Sequence, residues 1–122
     1  MDYRQLLRGI NSGRVVVGAA AVVAPGFAGG RWIGDAARLP EVKAITRAFG
    51  ARDLALGLGT LQALDADAPA EPWVTLGVLS DAVDLVATVL AIRTLGLRRA
   101  LPVMVVAAGA AAAGYAARTQ VD

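Results

Sequence analysis

The stretch Arg47–Gly59, RAFGARDLALGLG, places Arg52 beside Asp53 inside a run that is otherwise apolar and compatible with a helix. A second apolar run downstream contains Asp81 and Asp84, three residues apart. Charged side chains in the core of a bilayer are costly, and they usually pair with one another or line a polar path. These four charged residues therefore decide how the apolar segments of the chain are arranged.

The composition indicates a membrane protein. The 122 residues are 57% hydrophobic and have a mean hydropathy of +0.57, which is high for a soluble domain of this size. Glycine occurs 14 times, whereas Phe, Tyr and Trp occur twice each, and this balance suits helices that pack closely through small side chains. The net charge of +2 is too small to favour a nucleic-acid partner.

The sequence contains no cysteine and no histidine. Their absence excludes disulfides, thiol catalysis, and histidine as a general base or as a metal ligand. We therefore expect no catalytic residues, no metal site and no cofactor, and we expect that the protein is not an enzyme.

Four apolar segments predict an all-α, integral membrane four-helix bundle that forms one domain over residues 1–122. Each segment provides about the 20 residues that a bilayer crossing needs. The predicted helices cover approximately residues 6–28, 40–64, 73–95 and 100–117. The first segment could instead be a cleaved signal peptide, and Trp32, in the connection that follows it, is expected to anchor that connection at the membrane interface.

Two of the predicted helices each carry a stripe of small and polar residues, about 80° wide in the second helix and about 60° wide in the third. The stripes consist of Thr46, Gly50, Asp53, Gly57 and Thr60 in the second helix and of Gly77, Asp81, Asp84 and Thr88 in the third. We therefore expect these two helices to face each other, with Gly50, Gly57 and Gly77 at their closest contact. In the last helix, the spacing of Ala110 and Gly114 predicts another close helix contact.

The charged residues allow two interpretations. Each arginine or aspartate at the centre of a membrane helix costs about 2.5–3.5 kcal/mol, so Arg52 could pair with Asp81 or Asp84 as a clamp that fixes the helix register. Alternatively, the carboxylates could line a polar cavity for a proton, a cation or a headgroup. The predicted polar network comprises Arg47, Arg52, Asp53, Asp81, Asp84 and Thr88.

One arginine cannot neutralise three aspartates. At least one aspartate is therefore expected to be protonated, solvated or paired with a further arginine, namely Arg14, Arg47 or Arg93. Because removal of Arg52 would leave a carboxylate uncompensated in a low-dielectric environment, we expect its replacement by leucine to be the most damaging single change in the network.

The segment RAFGARDLALG that starts at Arg47, followed by DAVD from Asp81 to Asp84, resembles an uncharacterised family of small four-span membrane proteins common in actinobacteria. More loosely, the chain resembles the DoxX-like proteins. The resemblance extends over nearly the whole chain, including Ala24 and Pro25 at the end of the first span. It implies a four-helix membrane fold of unassigned activity, and it assigns no role to any residue.

The function that the sequence favours is that of a small multi-pass protein of the bacterial inner membrane, surrounded by the lipid bilayer. We expect a non-enzymatic accessory or scaffold subunit that contacts another membrane protein or forms a homo-oligomer. The alternative is a small proton- or cation-linked transporter that acts as an oligomer.

The distribution of basic residues indicates an orientation. Seven basic residues follow the first or the third span and so lie on one side of the membrane, whereas the side that holds both termini has four. The positive-inside rule therefore places both termini outside. The two groups are Arg31, Arg38, Lys43, Arg47, Arg93, Arg98 and Arg99, and Arg4, Arg8, Arg14 and Arg118.

Overall fold

The computed structural model describes residues 2–120, and within this range it is helical with no strands. The helices are α1 (Tyr3–Val23), α2 (Pro25–Ile33), α3 (Pro40–Asp65), α4 (Glu71–Leu90), α5 (Ile92–Leu95) and α6 (Leu97–Ala117). A 3-10 turn at Asp35–Arg38 connects α2 to α3. The all-α prediction is confirmed.

Proline and aspartate set the helix starts. The Asp2 side chain caps α1 by accepting hydrogen bonds from the backbone N–H groups of Arg4 and Gln5, at 3.0 and 3.2 Å. Pro25 and Pro40 each stand in the first turn of a helix, where the missing N–H would have no helical partner anyway. The chain therefore restarts a helix at each of these prolines.

Two predicted boundaries need correction. The first helix ends at Val23 rather than near residue 28, because Pro25 disfavours helical geometry in the preceding Ala24, whose φ is −130°. The third predicted helix, 73–95, is interrupted at Ala91 and divides into α4 and the single-turn α5. Gly96, at φ 79°, then turns the chain into α6, since glycine adopts positive φ at little cost.

Helices α1 and α3 pack against each other along their lengths, as do α4 and α6, and these are the two most extensive helix contacts. A Cβ on Gly50 would lie 2.6 Å from the carbonyl oxygen of Gly18. A Cβ on Gly57 would lie 2.9 Å from the carbonyl oxygen of Asn11. Both contacts are too close for any side chain, so only glycine allows the two backbones to approach in this way.

The prediction that these glycines face the helix that carries Asp81 and Asp84 was wrong. Gly50 and Gly57 face α1 instead of α4, because the wide stripe of α3 has room for one helix on each side and its glycines lie on the α1 side. Gly77 of α4 faces the Arg14 guanidinium, with 3.5 Å between its ideal Cβ position and Nη2. In α6, a Cβ on Gly114 would lie 2.8 Å from a Val78 methyl group of α4, so this glycine also lies at a close helix contact.

Salt bridges fasten the start of α1 to the connection between α3 and α4. Arg4 Nη2 donates to the Leu64 carbonyl oxygen at 2.6 Å and to Asp67 Oδ1 at 3.0 Å, and Arg8 pairs with Asp65 at 2.5 Å. Beneath them lies a small apolar cluster composed of Leu7, Ala63, Leu64, Ala70, Val74 and Ala117. This end of the molecule is therefore held by both charge and burial.

Within residues 2–120, three helices are long and apolar enough to cross a membrane, namely α1, α4 and α6. Each has large apolar side chains on its outside, for example Val16, Leu79 and Val106, which are 68%, 59% and 71% exposed. Helix α3 is the longest of all at 26 residues, but its charged residues leave no charge-free stretch longer than residues 54–64.

The close contact of α1 and α3 predicts that Gly57→Leu destabilises the fold by about 1–3 kcal/mol, because the new side chain would force the two backbones apart. Unfolding by SDS titration in mixed micelles measures this change. The matched control is Gly109→Leu on α6, where a Cβ would meet nothing within 4 Å and the effect should stay within about 0.5 kcal/mol. Equal losses for the two variants would contradict the packing.

Candidate functional site

Arg14 of α1 joins the two neighbouring helices. Its Nη2 donates to Asp81 Oδ2 of α4 at 2.6 Å, and its Nη1 donates to Asp53 Oδ1 of α3 at 3.3 Å. The side chains of Arg14, Asp53 and Asp81 are 8%, 8% and 10% exposed. One guanidinium thus connects three helices in a nearly closed environment.

Arg52 of α3 makes the second connection. Its Nη1 and Nη2 donate to the two carboxylate oxygens of Asp84 at 3.1 and 2.7 Å, which is the paired geometry in which arginine binds carboxylates most strongly. Its Nη2 also lies 3.2 Å from Asp53 Oδ1. Asp53 Oδ1 therefore accepts from both arginines and links the two connections into one unit, which we call the charged network: Arg14, Arg52, Asp53, Asp81 and Asp84.

The sequence positions explain why these side chains meet. Residues adjacent in a helix point about 100° apart, so Asp53 lies between α1 and α4 while Arg52 reaches α4 from the flank of α3. Asp81 and Asp84, three residues apart, lie on the same side of α4. Each then receives a different arginine.

The charged network lies at mid-height in α1 and α4. At 1.5 Å per residue, Arg14 is about 16 Å from the start of α1 at Tyr3 and about 14 Å from its end. Asp81 is about 15 Å from the start of α4 and about 14 Å from its end. At this height neither side chain can extend to water at a helix end, so the charges depend on one another.

Aromatic side chains cover the Arg52 side of the network. The Arg52 guanidinium carbon stacks 4.4 Å from the centre of the Phe49 ring, and this ring lies 5.4 Å from that of Trp32. Trp32 Nε1 donates to Thr88 Oγ1 at 3.2 Å, and this hydroxyl donates to the Asp84 carbonyl oxygen at 2.7 Å. Arg52, which is 32% exposed, is thereby shielded from one side.

The space beside the network is small. A cavity of about 10 Å³ adjoins Arg14, Asp81 and the buried Asn11, which is about the volume that one water molecule needs. Two guanidiniums face three carboxylates, so the network carries one negative charge in excess when all its groups are ionised. Within residues 2–120, the Nε atoms of Arg14 and Arg52 are buried and have no hydrogen-bond partner.

Most of the predicted polar residues come together, with one exception. Arg52 pairs with Asp84, and Asp53, Asp81 and Thr88 lie beside them. Arg47 is the exception: it is exposed, and its Nε donates to the Val22 carbonyl oxygen at 3.2 Å. The inclusion of Arg47 in the network was wrong, because this residue lies one and a half turns before Arg52, where α3 passes the end of α1.

Sequence reasoning did not place Arg14 and Trp32 in the site. Arg14 was counted with the basic residues at the start of α1 and named only as a possible further partner. A signal was present, however, because it shares a helical stripe with the buried Leu7, Asn11 and Gly18. Trp32 was predicted to be an interfacial anchor, whereas its indole donates a hydrogen bond to Thr88.

The charged network offers paired charges and hydrogen bonds. Within the described residues, no group of three or more carboxylate, histidine or cysteine side chains could hold a metal ion. Each carboxylate of the network already faces a guanidinium. The arrangement can therefore fix helices against one another or take up a proton.

Comparison of the chain with known proteins identifies no relative. No family model, no curated protein and no solved structure matches it. The resemblance to the actinobacterial four-span proteins therefore stays a prediction, and the geometry of the charged network carries the functional argument.

Proposed function

We propose that this chain is a four-span protein of the bacterial inner membrane and that it acts as a non-enzymatic accessory or scaffold subunit. The observation that carries the proposal is the position of Arg14, which binds carboxylates of two other helices at mid-height. The adjoining cavity of about 10 Å³ is too small for a substrate. A site of this kind favours a structural role.

Helix α3 is the proposed fourth span. Alone it would insert poorly, since Arg52 and Asp53 each cost about 2.5–3.5 kcal/mol at the centre of a membrane helix. In the fold both charges are turned towards α1 and α4 and are paired. On its outer side α3 exposes apolar side chains, among them Ile45 and Leu58, which are 71% and 45% exposed. Such side chains suit a lipid environment.

The charge distribution supports an orientation with both termini outside. Seven basic residues lie at one end of the bundle, in α2, the 3-10 turn, α5 and the beginnings of α3 and α6, and we call this the basic end. Arg4, Arg8 and Arg118 lie at the other end, and Arg14 belongs to the charged network, so the basic end has more basic residues. The positive-inside rule then places the basic end in the cytoplasm.

We expect a reporter that is active only outside the cytoplasm to be active when fused after Asp122. A fusion in the connection between α5 and α6, at Gly96, serves as the control and should be silent. Activity of the Gly96 fusion with a silent C-terminal fusion would reverse the orientation, whereas activity of both would contradict α6 as a span.

The charged network predicts a specific pattern of rescue. Arg14→Leu should destabilise the fold most, by about 3–5 kcal/mol, because it leaves the buried Asp81 without its arginine and Asp53 with Arg52 alone. Arg52→Leu should cost less, since Arg52 and Asp84 are 32% and 15% exposed. This reverses the order expected from the sequence. SDS titration measures these differences.

Double variants test the pairing. Asp81→Asn should recover part of the loss caused by Arg14→Leu, and Asp84→Asn should do the same for Arg52→Leu, whereas the exchanged combinations should not. Arg47→Leu is the control outside the network and should change stability by no more than about 0.5 kcal/mol. Additive losses in both matched pairs would show that the network is not a clamp.

A transporter is the second candidate, and the excess of one carboxylate over the guanidiniums favours it. In that case Asp53→Asn, Asp81→Asn or Asp84→Asn should leave folding almost unchanged and abolish a proton- or cation-dependent flux in proteoliposomes. A flux that disappears in this way would overturn the scaffold proposal.

The scaffold proposal predicts a protein neighbour in native membranes. Because the sequence has no cysteine, Val16→Cys, Leu79→Cys and Ala112→Cys each place a single thiol on the outside of α1, α4 or α6. At least one should cross-link to a distinct membrane protein in a discrete adduct. Ala107→Cys, which is 6% exposed, is the matched control and should not. Adducts of two copies alone would contradict an accessory role and support the oligomeric alternative.

A further inference from the structure

Three arginines surround a groove at the basic end of the molecule. Arg31 of α2, Arg38 of the 3-10 turn and Arg99 of α6 line an open depression of about 300 Å³. Asp35 is the one acidic residue among its lining residues. The groove therefore has an excess of two positive charges, and it is about thirty times larger than the cavity beside the charged network.

These arginines differ from those of the charged network because they have no acidic partner. Within residues 2–120, Arg31, Arg38 and Arg99 form no salt bridge. Arg31 contacts the Phe27 ring, with its guanidinium carbon 5.1 Å from the ring centre. Three arginines that line one groove with a single carboxylate create a local positive potential that favours an anion.

Three glycines are among the residues that line the groove. Gly26, Gly30 and Gly34 are spaced four residues apart along α2 and its end, and all three line the depression. A Cβ on Gly34 would lie 2.9 Å from Cζ of Arg99, so Arg99 lies directly over this glycine. Gly34 also has a φ of 89°, which disfavours any other residue. The missing side chain of Gly34 makes room for Arg99, and nothing lies within 4 Å of a Cβ position on Gly30, so the groove is open to a ligand there.

The position of the groove selects the source of the anion. It lies where α1 has ended and α6 begins, at the end of the bundle where the basic residues collect, which is headgroup depth if the helices span a bilayer. Phe27, 68% exposed, stands at its edge and suits contact with acyl chains. Basic pockets at the cytoplasmic ends of membrane helices are suited to phosphate headgroups of anionic lipids.

We propose that the groove lined by Arg31, Arg38 and Arg99 binds the phosphodiester headgroup of an anionic phospholipid of the cytoplasmic leaflet. The guanidiniums donate paired hydrogen bonds to the phosphate oxygens, and the open space at Gly30 allows the headgroup to approach the backbone. This inference rests on the proposed membrane location, and it adds a lipid partner that the charged network does not require.

Native mass spectrometry of the full-length protein in detergent tests the proposal, with phosphatidylglycerol, cardiolipin or phosphatidylcholine added. The anionic lipids should bind in preference to phosphatidylcholine. Arg99→Gln and Arg38→Gln should each weaken the binding of the anionic lipids about five- to tenfold. Arg98→Gln, one residue from Arg99 and exposed at the same end but outside the groove, is the matched control and should change it less than twofold.

The outcomes separate the possible sources of failure. Equal weakening by Arg98→Gln and Arg99→Gln would show diffuse attraction to the membrane surface and overturn the groove. Displacement of the lipid by millimolar inorganic phosphate would assign the groove to a free phosphate and overturn the lipid proposal. Fractionation of cells shows whether the protein is in the membrane; its absence there would overturn the proposed function and this inference together, whereas the first two outcomes leave the proposed function intact.

Discussion

The hydrogen bonds from Arg14 to Asp53 and Asp81 are the constraint on which the rest of the fold depends. They fix the rotation of α1, α3 and α4 at once, because a rotation of any one of these helices would leave a charge without its partner at mid-height. Both arginines donate to the same oxygen of Asp53, so the position of Arg52 depends on these hydrogen bonds as well. Apolar packing alone would not fix the register so strictly, because leucine and valine side chains can be exchanged between similar surfaces.

Much of the network could be predicted from local periodicity, whereas the helix neighbours could not. The spacing of Asp81 and Asp84 and the adjacency of Arg52 and Asp53 follow from helix geometry, and the contact of Arg52 with Asp84 matches one of the expected pairings. A helical wheel shows which residues share a face, but it does not show which helix occupies that face. Gly50 and Gly57 were for this reason assigned to the wrong neighbour, and Arg14 was taken for an end charge although it lies on the buried stripe of α1.

Two kinds of interaction hold the helices of the bundle together. Glycine contacts bring α1 close to α3, and Gly114 brings α6 close to α4, so each pair is held by the fit of backbone against side chain. The charged network joins one pair to the other. Close packing thus stabilises each pair of helices, and the charged network aligns the two pairs with each other, which matches the proposed role as a scaffold subunit.

The pairing of Asp84 with Arg52 has a consequence for synthesis of the protein at the membrane. Residues leave the ribosome in chain order, so Arg14 is already present when Asp53 emerges, but Asp84 follows Arg52 by 32 residues. During that interval Arg52 has Asp53 as its one carboxylate neighbour within the network. In the proposed four-span arrangement, helix α3 is then best accommodated at the bilayer surface or beside the insertion machinery until α4 arrives. This arrangement would accordingly require that α3, the proposed additional span, complete its insertion only after α4 has been synthesised.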